Sequence, residues 1–349
     1  MTPDLWFAIP GDLATLTGGY AYDRRLLAGL RARGLVVEHL PLPGAYPAPT
    51  PDELNYAEAA LAALPDQAVV LIDGLAYGVL AAVAVRQRER LRLIALCHHP
   101  LALETGLRAA EATRLAASEQ AALQAARAVI VTSAHTATLL REQFNVNDKY
   151  ILVAPPGTDP QAFAPCANTP PVLLTVATLT RRKAHDVLIA ALAQIRELPW
   201  QARCVGGAHF DPAWSGQLHE QVRAAGLQER LRFTGEISDL CAEYRAADLF
   251  VLPSLFEGYG MVFSEALAAG LPIVAARAGA VSTVVPPEAG LLVPPGDSTA
   301  LAAALAQVLT DSALHRRLQQ GARTAAMTLP RWDDTARLVA ALLNKIALA

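Results

Sequence analysis

The stretch DLFVLPSLFEGYGMVFSEALAAGLPIVAA, Asp248–Ala276, decides the fold class. It begins and ends with short apolar runs that are continuous rather than alternating, which is typical of strands buried on both faces of a parallel sheet. Between them lies a loop with Glu257, Gly258 and Gly260, and then an Ala/Leu-rich segment with helical spacing. The stretch therefore predicts a strand, a helix and a second parallel strand.

The same order recurs on both sides of a Pro-, Gly- and Asp-rich segment, 150–171. Apolar runs such as LWFAIP, AVVLID and LRLIALC precede it, and PPVLLTVATL, ARCVGG and LRFTG follow it. Strand–helix alternation over 349 residues predicts two doubly wound α/β domains. We expect an N-terminal domain over 1–165, a C-terminal domain over 166–328, and a final helix over 329–349 that packs back on the N-terminal domain. Ligands of such sheets bind beyond the carboxyl ends of the strands, so a central cleft is the expected active site.

Composition excludes several classes of protein. Lys and Arg (29) nearly balance Asp and Glu (32), which argues against general nucleic-acid binding. No apolar run reaches the roughly 18 residues of a membrane span, and the N-terminus does not read as a secretory signal. A cytoplasmic protein is expected. The basic run Arg86–Arg92 is read as a solvated helix end, and it leaves open a weak peripheral contact with the inner face of a membrane.

Basic residues follow one strand of the second half. Arg181, Arg182 and Lys183 come directly after VLLTVATL and lead into the helix DVLIAALAQI. Cations at a helix N-terminus oppose the helix dipole, so an anion such as a diphosphate is expected to offset them. A merely solvated basic turn is the alternative.

The loop of the opening stretch carries two acids. Gly260 stands where the helix begins, and backbone N–H groups at such a terminus suit a phosphate. Glu257 belongs to the loop, and Glu265 belongs to the second turn of the helix. A carboxylate at Glu265 can accept both hydroxyls of a ribose, and Glu257 can meet a sugar; a solvated helix face is the alternative.

Two weaker signals lie in the first half. Gly18 and Gly19 open a helix after the first strand, where they suit an anion or form a plain turn. His98 and His99 follow the strand LRLIALC and could act as base, hydrogen-bond donor or metal ligand. A metal site would need a third ligand, and the sequence has no Asp-x-Asp pair, so no metal site is expected.

Taken together, these segments resemble glycosyltransferase family 4, also called glycosyl transferases group 1, whose members are retaining enzymes of the GT-B fold. The resemblance is strongest in PSLFEGYGMVFSEALAAGLPIVA, Pro253–Ala275, which holds the family's E-x7-E motif. LTRRKAHDVLIAAL, the APPGTDPQAF linker and EAGLLVPPGD support it, and LTGGYAYDRRL and HHPLALE match less specifically. Thr178 departs from the family, which often has an arginine there as a further cation for the diphosphate.

The resemblance implies a role for each matching residue. Lys183 and Arg182 would hold the donor diphosphate, Glu265 the ribose, and Glu257 the donor sugar. His98, with His99 as the fallback, would contact the transferred sugar, so His98, Glu257 and Lys183 are the implied catalytic residues. The remaining implied donor-binding residues are Gly18, Gly19, Gly235, Glu236, Ile237, Gly260, Met261 and Val262.

The implied function is transfer of a hexosyl group from a nucleoside diphosphate sugar to an acceptor hydroxyl, with retention and without a metal or other cofactor. UDP is favoured over GDP as the donor nucleotide. The acceptor, whether saccharide, lipid or small molecule, is not predicted, and the protein is expected to be a monomer or homodimer. A catalytically degenerate nucleotide-sugar-binding protein and a GT-B epimerase are the alternatives.

Overall fold

The computed structural model describes residues 3–348. The chain forms two compact units, which we call unit 1 and unit 2. Unit 1 comprises residues up to Gly157 together with those from Pro330 onward, and unit 2 comprises Thr158–Leu329. No strand or helix lies between the end of the strand at Val153 and Val172, so the chain passes from unit 1 to unit 2 in an irregular segment.

Unit 1 is built on a six-stranded sheet. Its elements are β1 (Leu5–Pro10), α1 (Gly18–Ala32), β2 (Val37–Leu42), α2 (Pro51–Ala62), β3 (Val69–Asp73), α3 (Gly74–Tyr77), α4 (Ala81–Gln87), β4 (Arg92–Cys97), α5 (Ala109–Ala125), β5 (Ala128–Val131), α6 (Ala134–Gln143), β6 (Ile151–Val153) and, from the end of the chain, α14 (Trp332–Leu348). The strand order is β2-β1-β3-β4-β5-β6, and neighbouring strands are parallel. The chain changes direction across the sheet between β1 and β3, which places the loops after these strands at a topological switch point.

Unit 2 repeats this architecture. Its elements are β7 (Val172–Val176), α7 (His185–Gln194), β8 (Gln201–Val205), α8 (Pro212–Ala224), β9 (Leu231–Gly235), α9 (Leu240–Arg245), β10 (Leu249–Leu252), α10 (Met261–Ala268), β11 (Ile273–Ala276), α11 (Val281–Val284), β12 (Gly290–Val293), α12 (Ser298–Thr310) and α13 (Ser312–Ala326). The parallel strands follow the order β12-β11-β10-β7-β8-β9, and the switch point lies between β7 and β10. The predicted pair of doubly wound α/β halves is confirmed.

Burial follows the pattern that the sequence predicted. Strand β10 is buried along its whole length, and one apolar cluster covers each face of the unit 2 sheet. In unit 1, α1 turns Tyr22, Leu26 and Leu30 inward. Helix α14 packs on α1 so closely that a Cβ at Gly29 would lie 2.8 Å from the Cβ of Ala336. The end of the chain is thus part of the unit 1 core.

The basic run Arg86–Arg92 is the expected solvated helix end only in its first half, where the side chains of Arg86 and Arg88 are 52 % and 51 % exposed. Helix α4 ends at Gln87, and Arg92 is the first residue of β4. Arg90 Nη2 donates to the carbonyl of Leu61 at 2.7 Å, and Arg92 Nη1 donates to the carbonyls of Ile346 and Ala347 at the end of α14. These arginines hold helix ends of unit 1 because their charge favours the carbonyl end of a helix dipole.

No helix between residues 3 and 348 has the length and hydrophobicity that a membrane span requires.

Gly157 provides a test of the packing between the start of α14 and the segment that leaves unit 1. A Cβ at this position would lie 2.1 Å from the backbone nitrogen of Trp332, closer than any real contact. Gly157→Ala should therefore lower the free energy of unfolding by about 1–3 kcal/mol, measured by urea denaturation. Gly216→Ala in α8 is the matched control, because its Cβ meets nothing within 4 Å and the helix gains up to about 1 kcal/mol. Equal stability of Gly157→Ala and the wild type would contradict the packing.

Candidate active site

A buried ion pair joins the two loops at the switch point of unit 2. Glu257 Oε1 lies 2.7 Å from Lys183 Nζ, and Glu257 Oε2 lies 3.5 Å from Arg182 Nη1. The same guanidinium donates to the carbonyl of Phe256 at 3.0 Å, and the Leu255 N–H donates to the carbonyl of Arg182 at 2.8 Å. Both loops leave the carboxyl ends of adjacent strands, β7 and β10, so the topology brings together residues 74 positions apart.

The cations of the basic turn are thus partly compensated within the chain. Burial alone would raise the pKa of Glu257, but the charges of Lys183 and Arg182 and the hydrogen bond from Lys183 lower it below its usual value. Glu257 is 4 % exposed and is held as a carboxylate. An acid of the neighbouring loop thus offsets part of the charge for which the sequence led us to expect a bound anion.

Arg181 is oriented differently from the two cations beside it. Its guanidinium lies 4.3 Å from the centre of the Trp214 ring and 3.8 Å from Asp211. The next residues, Ala184 and His185, close the turn: Ala184 has a left-handed backbone, with φ of 51°, and it precedes α7. A non-glycine residue there is uncommon and costs about 1–2 kcal/mol, so the turn carries strain that the buried surroundings must hold.

Backbone geometry at the start of α10 leaves the helix N-terminus open. Gly260 is the N-cap residue with φ of 83°, and no side chain caps the helix. The predicted donor-binding residues Met261 and Val262 are the first two helical residues and are half-buried. An uncapped first turn beside two cations is a suitable environment for an anion.

Glu265 lies one turn further along α10, where it accepts a hydrogen bond from Tyr244 Oη at 2.8 Å. Burial, together with the charge of Asp159, raises the pKa of Glu265 despite that bond. A cavity of about 520 Å³ lies between the segment at Pro160–Ala162 and helix α9. Gln161, which lines this cavity, donates to the backbone carbonyl of Glu265 at 3.4 Å.

The predicted donor-binding stretch Gly235–Ile237 begins at the end of β9, two strands away from β7. Gly235 ends the strand with φ of 76°, and Glu236 is exposed with Oε1 3.6 Å from His209 Nδ1. Ile237 packs against the apolar cluster that includes Tyr244. Like the ion pair, the stretch thus lies at the carboxyl ends of the strands of the unit 2 sheet.

In unit 1, Gly18 and Gly19 form the first turn of α1, and Thr17 Oγ1 caps it by accepting from the Tyr20 N–H at 3.5 Å. A Cβ at Gly19 would lie 3.6 Å from His98 Cδ2, so the glycine turn and the histidine are neighbours. His99 points elsewhere, with Nε2 3.9 Å from Glu104. Of the two candidate histidines, His98 is the one beside the glycine turn.

His98 lies between two buried carboxylates that the sequence reasoning missed. Its Nε2 is 3.2 Å from Asp23 Oδ1 and 3.4 Å from Asp73 Oδ2. Asp73 ends β3, and Asp23 stands on α1. The sequence contains a signal for each of them. Asp73 is the polar end of the apolar run AVVLID, and Asp23 lies on the inward face of α1 together with Leu26, Leu27 and Leu30. A buried acid on an apolar helix face signals a partner.

The three groups are of the types that bind divalent cations, and they lie within 4.8 Å of one another. Nε2 lies 3.2 Å from Asp23, at the long end of an N–H···O hydrogen bond, and 3.4 Å from Asp73, a distance that leaves only a weaker one; we assign no metal to the three groups. Burial alone would lower the pKa of His98, but the hydrogen bonds and charges of Asp23 and Asp73 raise it above its usual value. Burial and the neighbouring Asp73 raise the pKa of Asp23, which the imidazole opposes.

The segment after the histidines is held by a further buried acid. Glu119 of α5 accepts from the backbone N–H groups of Leu101 and Ala102, at 3.1 and 3.4 Å. Burial raises its pKa to about 7. Glu119 therefore fixes the loop that carries His98 without contacting the imidazole ring.

Comparison with known proteins shows matches over both halves of the chain. Residues 17–162 match the model of "Glycosyltransferase Family 4", and residues 158–325 match the model of "Glycosyl transferases group 1". The chain belongs to glycosyltransferase family 4. The resemblance drawn from the E-x7-E segment is thereby confirmed.

Curated members of the family match most of this chain, but the match covers only part of the length of each relative. Mannosylfructose-phosphate synthase of Agrobacterium fabrum is 30 % identical over a match that covers 62 % of this chain and 52 % of the synthase. A D-inositol 3-phosphate glycosyltransferase of Salinispora tropica is 31 % identical over a match that covers 67 % of this chain and 54 % of that enzyme. The chain thus spans about half the length of these relatives.

A solved structure of similar fold is sucrose-phosphate synthase from Thermosynechococcus elongatus, with 25 % identity, a TM-score of 0.83, and coverage of 98 % of this chain and 99 % of that chain. HepE from Anabaena has 20 % identity, a TM-score of 0.80 and coverage of 98 % and 99 %. The GT-B assignment of this family 4 chain is confirmed.

The Lys183–Glu257 pair can be tested by the pH dependence of stability. A carboxylate whose pKa is lowered by folding stabilises the protein above its unfolded pKa, about 4.3, and that contribution is lost as the pH falls through the folded value. Lys183→Met leaves Glu257 buried with a weaker partner, so it should cost about 3 kcal/mol at pH 7. The difference from the wild type should shrink as the pH falls, because protonation relieves the poorly paired carboxylate in the variant first, and the wild type loses its ion pair as the pH approaches the lowered pKa of Glu257.

The measurement is urea denaturation between pH 3 and pH 7. Lys345→Met is the control, because Lys345 is an exposed residue of α14. A cost for Lys183→Met that is the same at all pH values would show that the loss is one of packing and not of the ion pair.

Proposed function

We propose that this chain is a retaining glycosyltransferase that moves a hexosyl group from a nucleoside diphosphate sugar to an acceptor hydroxyl without a metal ion. The observation that carries the proposal is the buried Lys183–Glu257–Arg182 group beside the uncapped N-terminus of α10. Two cations and a helix terminus supply the positive charge that a diphosphate requires. UDP is the favoured nucleotide, and the HepE structure, which has the same fold, contains UDP and glucose.

The proposed chemistry depends on charge at the leaving group. As the bond from the sugar to the diphosphate breaks, negative charge accumulates on the phosphate oxygens, and preorganised donors stabilise it. Lys183 and the first-turn N–H groups of α10 supply these donors. Glu257 orients the Lys183 ammonium through the 2.7 Å hydrogen bond and faces the sugar as a carboxylate.

The other site residues have supporting roles in this proposal. Glu265, already bonded to Tyr244, accepts from the ribose hydroxyls. His98 contacts the transferred sugar. None of these groups is assigned as a nucleophile. The acceptor oxygen therefore attacks from the face that the diphosphate leaves, its proton passes to an oxygen of the leaving phosphate, and the anomeric configuration is retained.

A degenerate binding protein is the second candidate, and Thr178 is the feature that favours it. Replacing the family's arginine removes one cation from the donor site. The intact group at Glu257 opposes this alternative, because a buried ion pair that no reaction uses is costly to maintain.

The first test is the rate of transfer by Lys183→Ala. The variant should lower kcat by at least about 100-fold, because it removes a charge that acts on the leaving diphosphate. Lys345→Ala controls for loss of a lysine elsewhere, and circular dichroism checks that both variants are folded. A near wild-type rate in a folded Lys183→Ala protein would rule out the charge argument.

The second test identifies the donor and separates the candidates. A thermal-shift screen of UDP, GDP and their sugars should show the largest rise in Tm with one UDP-sugar, since a ligand stabilises only the state that it binds. Slow release of sugar and UDP without an acceptor is expected of a transferase. A rise in Tm with no release at all supports the binding protein, and release of an epimerised sugar supports the epimerase.

A further inference from the structure

The cluster of Asp23, Asp73 and His98 contains more negative charge than a buried site normally holds. Asp23 is 1 % exposed and Asp73 is 2 % exposed, and each has an oxygen within 3.4 Å of the same ring nitrogen. Two buried carboxylates around one nitrogen require a cation or a proton between them. A neutral imidazole has a single N–H, so it can donate from Nε2 only when Nδ1 is unprotonated.

The surroundings restrict where that charge can come from. Helix α1 contributes Asp23, the Tyr22 ring in edge contact at 5.1 Å, and Tyr20, while β3 contributes Asp73. Arg24 also acts on Asp23, but its guanidinium is bonded to the carbonyls of Leu13 and Thr15. His98 is therefore the group placed to neutralise both acids.

The orientation of the ring follows from the same contacts. Both carboxylates meet Nε2, and among the described residues no hydrogen bond or ion pair involves Nδ1. The side chain is 22 % exposed, so Nδ1 is the nitrogen available to a ligand. Asp23 Oδ2, in contrast, is buried without a partner among the described residues, so the imidazole is the main compensation for Asp23.

We infer that Asp23 and Asp73 hold His98 as an imidazolium whose Nε2 is fixed between them, which makes Nδ1–H a permanent hydrogen-bond donor to a sugar hydroxyl. Asp23 is then a positioning residue for transfer, and His98 cannot serve as a base. The inference rests on the proposed function for its ligand, whereas the charge of His98 is a property of the unliganded protein. The two can therefore fail separately.

The first experiment needs no substrate and no variant beyond one used for assignment. Histidine labelled with ¹⁵N is followed by NMR between pH 6 and pH 9 in the presence of a chelator, and His98→Gln assigns the signals of His98. Both ring nitrogens should remain protonated over this range. A ring that is neutral at pH 7, with a proton at one nitrogen only, overturns the inference, as does Zn²⁺ displacing the Nε2 proton once the chelator is removed.

Asp23→Asn then tests which group holds the proton. If the carboxylate holds the imidazolium, the variant should lower the pKa of His98 by at least about one unit. If instead Asp23 were a neutral acid that donates to Nε2, the asparagine amide would replace it, and His98 would be unchanged. Asp73→Asn should shift His98 in the same direction, and the asparagine Oδ1 can still cap the Leu75 N–H.

Glu119→Gln is the matched control for these variants. It also removes a buried acid that holds the His98 loop, but it does not contact the ring. The His98 signals should be the same in Glu119→Gln as in the wild type. Shifts of equal size in both variants would show disturbance of the loop and would overturn the assignment to Asp23.

Kinetics test the positioning role. In Asp23→Asn, kcat/KM for the donor should fall about tenfold or more, and the rate should fall further as the pH rises through the lowered pKa of His98, whereas the wild-type rate stays level from pH 7 to pH 9. If the variant loses the second ring proton at pH 8 and still transfers at the wild-type rate, the positioning role is wrong. If no nucleotide sugar is used by the wild type, the proposed function fails while the NMR result stands.

Discussion

The buried carboxylate of Glu257 is the constraint on which the organisation of unit 2 depends. A charge at this depth is stable only with cations in direct contact, and Lys183 and Arg182 come from a loop 74 residues earlier in the chain. The parallel sheet makes this pairing possible, because β7 and β10 are neighbours whose carboxyl ends share one edge. The backbone of the segment after β11 packs against Glu257. The Ala280 N–H donates to the carbonyl of Glu257, and a Cβ at Gly279 would lie 2.1 Å from that oxygen. A side chain at Gly279 would displace the acid.

Unit 1 also holds buried charged groups at its switch point, but with the opposite balance of charge. At its switch point two acids surround one base, whereas in unit 2 two bases surround one acid. In both units the residues come from loops or helices that follow adjacent strands, so a doubly wound sheet supplies the geometry and only the residue types differ. The leaving diphosphate in the proposed reaction needs positive charge, which suits unit 2. A sugar hydroxyl needs a fixed donor or acceptor, which suits unit 1.

Much of this organisation could be predicted from the sequence. Continuous apolar runs predicted the parallel strands, and the positions of Lys183, Glu257 and Gly260 directly after strands indicated the edge at which they lie. The sequence could not show that Lys183 and Glu257 are paired, because strand order within a sheet is not a local property. The basic turn therefore read as a site that needs an external anion. The donor-binding roles of Glu236 and Ile237 stay predictions, because the contacts of these residues, with His209 and with the apolar cluster around Tyr244, do not indicate a ligand.

Asp23 was missed for a different reason. It lies within a helical pattern whose other inward residues are apolar, and such patterns are read for their hydrophobic members. An acid in that stripe carries a cost that must be compensated by a specific partner, so it contains more information than the leucines around it. Here the partner is His98, on a loop 75 residues away. The imidazole therefore cannot be considered alone: its orientation, its charge and the nitrogen that it offers to a ligand are all set by a residue that lies outside the family's E-x7-E motif.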